Sequence, residues 1–417
     1  MQLTTRRPFP WAVVVAVVLI GFILRGPIIA VAPISGIMRS DLGLTAAQFG
    51  LLTSLPVLCF AIVTPFASLF IGKAGANFST MIAILGVGVG SVIRSAGGVE
   101  AVFVGTIIMG AFITVGNVVI PVIIRRDVPP EKVAIVTGSY TSALNVSSMI
   151  TSIATAPLAL AFGWQTALLA WTGFVIIAAV GWLSAIGPRA AFAVGPLKPL
   201  IETGAGDTVA IDTRSIPAIR GTQPQTWRNA SAVLLSLAFA GQAFAYYGLT
   251  AWFPTILENE VGFSVTTAGS SSSIFQIAAV IGALGAPLLS KRIGVPRTMA
   301  IIAAFWLSCP IGLLLAPGAW LAWGFTGGVA QGGGITLVFM LIVQLAMNGT
   351  HARRLSAMIQ GVGYALGATS PTLIGAAHDA TGGWQLPLVV IALGTLTFTV
   401  AGLAGAVRAT RAGSVSS

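Results

Sequence analysis

The sequence predicts an all-α integral membrane protein, with twelve transmembrane helices arranged as two six-helix halves. Three observations carry that prediction. The first is composition: 56% of the 417 residues are hydrophobic, 7% are charged and the mean hydropathy is +0.96, which a single soluble domain cannot hide from water. The second is that the chain divides into twelve apolar stretches, 11–33, 44–71, 80–96, 101–124, 133–161, 167–186, 230–256, 266–290, 298–316, 320–347, 355–377 and 386–407. A bilayer-crossing helix needs about 20 such residues, and none of the stretches alternates as a strand would. The third is the placement of charge. Of the 21 Lys and Arg residues, 18 fall in the two tails, the 188–229 segment and the loops on one side, Arg39 and Arg94 fall on the other, and Arg25 lies within a span. By the positive-inside rule both termini are cytoplasmic and the protein sits in the inner (plasma) membrane. The net charge of +11 is thereby explained by topology, and no nucleic-acid partner is expected.

The first span imitates a cleaved leader, since Arg6-Arg7 precedes an apolar run ending in Ala30-Val31-Ala32. Arg25-Gly26-Pro27 and Pro33 interrupt that pattern, so the span is kept as a helix. Its run is centred on Phe22, which puts Arg25 about 4–5 Å beyond the midpoint at 1.5 Å rise per residue. A cation there costs about 2.5–3.5 kcal/mol on insertion scales. None of the ten Asp and Glu residues lies inside a span, so Arg25 is expected to face a wet cavity and an anionic ligand, to which its planar fork is suited. In the third span Arg94 lies near the outer end, where it reaches the interface and is read as a gate or support residue. The fourth span carries Asn117 one turn before Pro121, open to either substrate contact or an interhelical hydrogen bond. The fifth carries Tyr140 and Asn145. Residues 188–229 form the one long polar segment, a cytoplasmic linker between an N-terminal half (1–187) and a C-terminal half (230–417).

In the second half, Gln242 and Tyr246 are i,i+4 on the seventh span, and Gln360 and Tyr364 are i,i+4 on the eleventh, so each pair shares a helix face. A paired amide and phenol suits a polar ligand, and equally suits an interhelical bond with a space-filling ring. Gln331 sits among six glycines of the tenth span, where backbones approach closely. The halves echo each other: Gly163-Trp164-Gln165 answers Gly383-Trp384-Gln385, Lys73-Ala74-Gly75 answers Arg292-Ile293-Gly294, and Tyr140 answers Tyr364. Such ordered matches indicate a duplicated plan. Cys59 and Cys309 each lie in a span, without the ligand set of a metal site. His351 and His378 form no H-E-x-x-H pair, and neither a G-x-S-x-G nor paired intramembrane carboxylates occur. No enzyme activity and no cofactor are expected.

Several motifs resemble one branch of a known superfamily. They are Gly116-Asn117-Val118-Val119-Ile120-Pro121 with Arg125-Arg126-Asp127 and Thr137-Gly138-Ser139-Tyr140, Leu24-Arg25-Gly26-Pro27, Leu55-Pro56-Val57, Ile93-Arg94-Ser95, Trp252-Phe253-Pro254-Thr255, Gln331-Gly332-Gly333 and Leu355-Ser356 with Gln360 and Tyr364. Together they are similar to the cyanate and 2-nitroimidazole transporter family of the major facilitator superfamily, over all but the linker and tails. Leu24 stands where that branch usually has Asn, the loop at Lys73 and Gly75 lacks the superfamily's Asp, and Ala156-Pro157-Leu158 replaces the antiporter motif. The resemblance implies the major facilitator fold, alternating access, and a cavity lined by the first and fourth helices.

The expected function is transport of a small anionic solute, cyanate-like or monocarboxylate-like, by a monomer in contact with membrane lipid. Arg25, Asn117, Gln242, Tyr246, Gln331, Gln360 and Tyr364 are the substrate-binding candidates, with Lys73, Arg292, Arg94 and Tyr140 as gate or support. Export of planar neutral compounds of nitroimidazole type, with Arg25 structural, is the alternative. A non-transporting membrane sensor is a further one.

Overall fold

The computed structural model describes residues 9–195, 229–345 and 349–415. Residues 196–228, the greater part of the expected linker, lie outside the described residues. The first half comprises α1 (Trp11–Ile29), α2 (Ser35–Leu42), α3 (Ala46–Ala74), α4 (Ala76–Ser95), α5 (Val99–Asp127), α6 (Pro130–Phe162), α7 (Trp164–Ala170), α8 (Thr172–Ile186) and the short α9 (Pro188–Phe192). The second half comprises α10 (Ala230–Val261), α11 (Val265–Ile293), α12 (Val295–Leu315), α13 (Trp320–Leu345), α14 (Gly349–Thr381) and α15 (Gln385–Val415). Among the described residues eleven helical segments are long and apolar enough to cross a membrane, with the first pass taken as Trp11–Leu42. α14 makes the twelfth pass and is as long, but Gln360, Tyr364, Thr369, Ser370 and Thr372 dilute its apolar content.

The element bounds differ from the sequence expectation in physically simple ways. The apolar run 11–33 is not one helix: α1 stops at Ile29, and a 3-10 turn, Ala32–Ile34, precedes α2. Pro27 and Pro33 lack the N–H groups that would continue the ladder. The sixth pass is broken at Trp171 into α7 and α8. α10 runs past residue 256 to Val261 and carries Glu258 and Glu260 on its last turns.

The duplicated plan is visible in the backbone. Gly75 ends α3 with φ 88° and ψ 152°, and Gly294 ends α11 with φ 85° and ψ 157°. Both are one-residue hinges between antiparallel helices, in a conformation that favours glycine. The tryptophans of the repeated Gly-Trp-Gln motif act alike too. Trp164 Nε1 donates to Asp41 Oδ2 at 2.7 Å, and Trp384 Nε1 donates to Asn259 Oδ1 at 2.9 Å, each tying the last pass of its half to the end of the first.

An even number of passes puts Trp11 and Val415 at one end of the bundle, called here the terminal end, with the distal end opposite. One buried core joins both halves, and the first half contributes to it only from its distal parts: Ala30, Ile34 and Met38, then Phe49 and Leu52, then Ala156 and Trp164. The second core, around Val17, Ile20, Ile84, Met109, Ile120 and Trp182, belongs to the first half alone. The halves are therefore fused at the distal end and separate at the terminal end. Close backbone contacts mark the seam, since a Cβ on Gly50 would lie 2.1 Å from the Pro371 carbonyl oxygen and one on Gly375 would lie 2.3 Å from that of Ala46. Toward the terminal end the stripe Trp11, Val15, Val18, Phe22 and Arg25 is the open face of an otherwise buried α1. It borders an open cleft of about 540 Å³ lined by Val18, Phe22, Ile135, Ser139, Ser142 and Val146.

Candidate substrate site between the halves

Arg25 sits one turn before the end of α1, between the halves. Its Nη2 donates to the Tyr246 hydroxyl of α10, and its Cζ lies 5.2 Å from the Tyr246 ring centroid. Electrostatic contact with Arg25 extends to Tyr140, Tyr247 and Tyr364. Of the chain's four tyrosines, Tyr246 bonds the guanidinium and Tyr247 shares the cavity beside it, while Tyr140 and Tyr364 lie within reach of its field. Tyr246 and Tyr247 meet edge to face at 4.9 Å, and Phe275 stacks on Tyr246 at 6.3 Å. Tyr364 is held edge-on between Phe60 at 6.0 Å and Phe239 at 5.4 Å. Tyr140 donates to Asn117 Oδ1 at 3.3 Å, which fixes the amide of α5 from α6.

Among the described residues no carboxylate pairs with Arg25, the ion pairs being Arg39–Asp379 and Arg126–Asp127. The cavity beside it, lined by Arg25, Ile28, Thr53, Phe60, Tyr247 and Thr250 among others, holds about 30 Å³. That is about one water's share of the liquid. A solute reaching Arg25 must therefore part it from the Tyr246 phenol, and an anion is suited to do so because it forms a charge-assisted bond with the guanidinium while the phenol forms a neutral-acceptor one.

The structure separates the remaining candidates. Gln242, 2% exposed, is turned to α13, where its Nε2 donates to the Gln331 carbonyl at 2.8 Å. It clamps two helices, and the Gln331 backbone is its partner. Gln360 donates to Ser356 Oγ at 2.6 Å, one turn toward the terminal end from Tyr364. In each i,i+4 pair the glutamine serves its surroundings, while Tyr246 bonds Arg25 and Tyr364 packs on Phe60 at the cavity wall. Arg94 is 1% exposed and donates through Nη1 to the Pro27 carbonyl at 2.8 Å. It satisfies one of the orphan carbonyls at the end of α1, where positive charge is favourable, and it supports the helix that carries Arg25. Lys73 and Arg292 are exposed at the terminal end. Asn145 donates to its own helix at Thr141. Near the missing loop Asp, Arg126 is held by Asp127 at 2.6 Å and by Asn77 Oδ1 at 2.7 Å.

Thr53, Phe60, Tyr247, Thr250 and Gln276 were not singled out by the sequence reading. Tyr247 had a signal, the doubled Tyr246-Tyr247, and Gln276 is the one amide of its helix. Nothing in the order of residues marks Thr53 or Thr250.

At the distal seam Asp379 on α14 accepts from the N–H groups of Ala46 at 2.9 Å and Ala47 at 2.8 Å, capping α3 of the other half. Arg39 approaches the same carboxylate at 3.9 Å. Burial opposes ionisation of Asp379, but the Ala47 and Ala46 amides, with Arg39 and His378, outweigh it and hold the carboxyl below its ordinary value. Ser35 and Thr255 hydroxyls meet at 2.6 Å, and Trp252 Nε1 donates to the Pro371 carbonyl at 3.0 Å.

Residues 14–371 match the Major Facilitator Superfamily. The chain belongs to that superfamily. Among curated relatives, the 2-nitroimidazole transporter of Escherichia coli (strain K12) is 32% identical over 392 residues, covering 94% of each chain. The cyanate transport protein CynX of the same organism is 21% identical over 372 residues, covering 88% of this chain and 90% of the relative. An uncharacterized transporter of Bacillus subtilis (strain 168), YycB, is 29% identical, covering 93% and 92%. Among solved structures, the nucleoside transporter NupG superposes with a TM-score of 0.73 at 12% identity, covering 94% of this chain and 99% of that one. A bacterial homologue of the human lysosomal transporter Spinster, in an inward-facing conformation, superposes at 0.68 with 17% identity over 97% and 96%. These two establish the shared major facilitator fold.

Proposed function

We propose that this transporter-superfamily member moves a small anion across the inner membrane by alternating access, with Arg25 as the residue that binds it. The observation that carries the reading is an intramembrane guanidinium between the halves with no carboxylate partner among the described residues, bonded to Tyr246 and sharing a cavity with Tyr247. An anion supplies the charge Arg25 lacks, the aromatic walls exclude water, and Tyr140 with Asn117 offers polar groups at the rim. In the unloaded state the Tyr246 phenol holds the anion's place. The shared distal core and the open terminal end support an arrangement facing the side of the termini, which the charge asymmetry assigns to the cytoplasm. Asp41, Glu258 and Asp379 belong to the distal end, so the site itself offers no carboxylate to carry a coupling proton, and the anion moves alone, by exchange or with a proton of its own.

The 32%-identical relative named for 2-nitroimidazole supports a second reading, a planar neutral compound stacked among the same rings with Arg25 structural. Uptake into proteoliposomes separates the two. With Arg25→Ala, uptake of monocarboxylates or cyanate is expected to fall at least about 100-fold while the protein still inserts and folds, and Arg25→Lys, which keeps charge and loses the bidentate fork, is expected to retain part of it. Normal anion uptake by Arg25→Ala, or protection against heat by neutral azoles alone, contradicts the proposal.

A further inference from the structure

A second, smaller cavity of about 10 Å³ lies on the distal side of the first and shares Ile29, Ala32 and Thr250 with it. Gln276 of α11 and Ser152 of α6, 4% and 3% exposed, line it. Among the described residues neither side chain has a hydrogen-bond partner, and both line the void. Thr250 Oγ1, between the two cavities, is also buried without a partner. Buried polar groups are normally satisfied, and a buried orphan hydroxyl beside two unpartnered polar side chains from two other helices, all around one void, marks a place that something polar fills. The lining holds no charged side chain, and the amide and hydroxyls offer both donors and acceptors.

We infer that this cavity is a second subsite, which takes an uncharged hydrogen-bonding group at the far end of the transported anion, with Gln276 as its specificity-determining residue. This rests on the reading of Arg25 as the anion's partner. Thr250 stands four residues past Tyr246, and Ile29 four past Arg25, so the two subsites are about 6 Å apart at 1.5 Å rise per residue. The substrate class is therefore a short carboxylate bearing an amide, hydroxyl or similar neutral polar group about three carbons away. A triatomic anion reaches one subsite only.

Succinamate and 4-methylpentanoate provide the test, because the terminal amide of the first and the isopropyl group of the second have the same shape. Ligand-induced thermal shift and calorimetric titration of the full-length protein should show succinamate binding about tenfold more tightly than 4-methylpentanoate. That is the scale of one or two neutral hydrogen bonds. Gln276→Leu should erase or reverse the ratio, and Thr250→Val, a gentler change, should reduce it. Both ligands should lose binding in Arg25→Ala. Equal binding of the two by the wild-type protein, or a ratio that survives Gln276→Leu and Thr250→Val, overturns the subsite and leaves the cavity to one ordered water. Binding of both ligands undiminished in Arg25→Ala, with the succinamate preference still dependent on Gln276, instead overturns the role of Arg25. No binding of either ligand to the wild-type protein overturns both.

Discussion

α1 and α10 are the opening helices of the two halves, and the first pass meets α10 through two side-chain pairs. Arg25 bonds Tyr246, 221 positions on, and Ser35 bonds Thr255, 220 positions on. The repeated motif shifts Trp164 to Trp384, also 220 positions. Both spacings are close to the repeat distance, so the contacts join corresponding stretches of the two opening passes. What differs is charge. The first half presents Arg25 and Asp41 where the second presents Tyr246 and Asn259. Two arginines facing each other there would repel in a medium of low dielectric, and two tyrosines would offer an anion no charge. One of each gives a single cation and a neutral partner that holds it when the site is empty.

The largest effect expected outside the site itself concerns the distal seam, where the comparison is between α3 of one half and α14 of the other. Asp379→Asn replaces one acceptor by an amide NH₂ group facing the Ala46 and Ala47 N–H groups, so the seam should open. The population facing away from the terminal end is expected to rise about tenfold, the scale of a lost charge-assisted bond. Distance measurements between spin labels placed across the seam would check it, and an unchanged distribution would remove Asp379 from the gate. The sign with pH follows from the depressed carboxyl. Its stabilisation is complete above the ordinary carboxylate value of 3.8 and is lost as pH falls through the lower folded-state value. The Asp379 contact should therefore hold from about pH 8 to pH 5 and loosen only in stronger acid.

A smaller effect sharpens the comparison of the two tryptophans. Trp164 donates to a carboxylate and Trp384 to an amide, and both acceptors are exposed, so solvent screens the difference. Trp164→Phe and Trp384→Phe should each cost about 1 kcal/mol of stability in detergent, with Trp164→Phe the costlier by a few tenths. In an Asp41→Asn background the two should become equal. A Trp384→Phe cost well above that of Trp164→Phe would mean that packing of Trp384 on His378, 4.4 Å away, outweighs the hydrogen bond.

Much of this was legible in the sequence for stated reasons. Hydropathy gives the passes because apolar length is what a bilayer selects, and the Gly-Trp-Gln and Gly75/Gly294 repeats give the duplication. The unpaired charge marks Arg25. Hydropathy passes over the breaks at Ile29 and Trp171, because it does not register a missing backbone hydrogen bond, although Pro27 and Pro33 mark the first of them in the sequence. Helix periodicity put Gln242 beside Tyr246, yet 3.6 residues per turn leaves the two about 40° apart, enough for one to face α13 and the other Arg25. Thr53, Thr250 and Gln276 escaped because a neutral polar residue in a membrane helix is usually satisfied locally, and only the packing of three helices shows that Gln276 is not. From its place near the outer end of its span Arg94 reads as a gate or support residue at the interface, whereas the structure buries it. Its bond to the Pro27 carbonyl ties it to the end of α1.

The central claim is that Arg25 is the anion's partner and that Tyr246 occupies it in the anion's absence. Calorimetric titration with monocarboxylates from formate to 4-methylpentanoate, on wild-type, Arg25→Ala and Tyr246→Phe proteins, tests it most directly. Removing the phenol frees the guanidinium, so Tyr246→Phe should bind its best anion about 5–10-fold more tightly than the wild type, the worth of the bond that no longer has to break. Arg25→Ala should show no measurable binding. Anion affinity unchanged by both substitutions would contradict the account and leave the Arg25–Tyr246 bond as a structural tie between the halves.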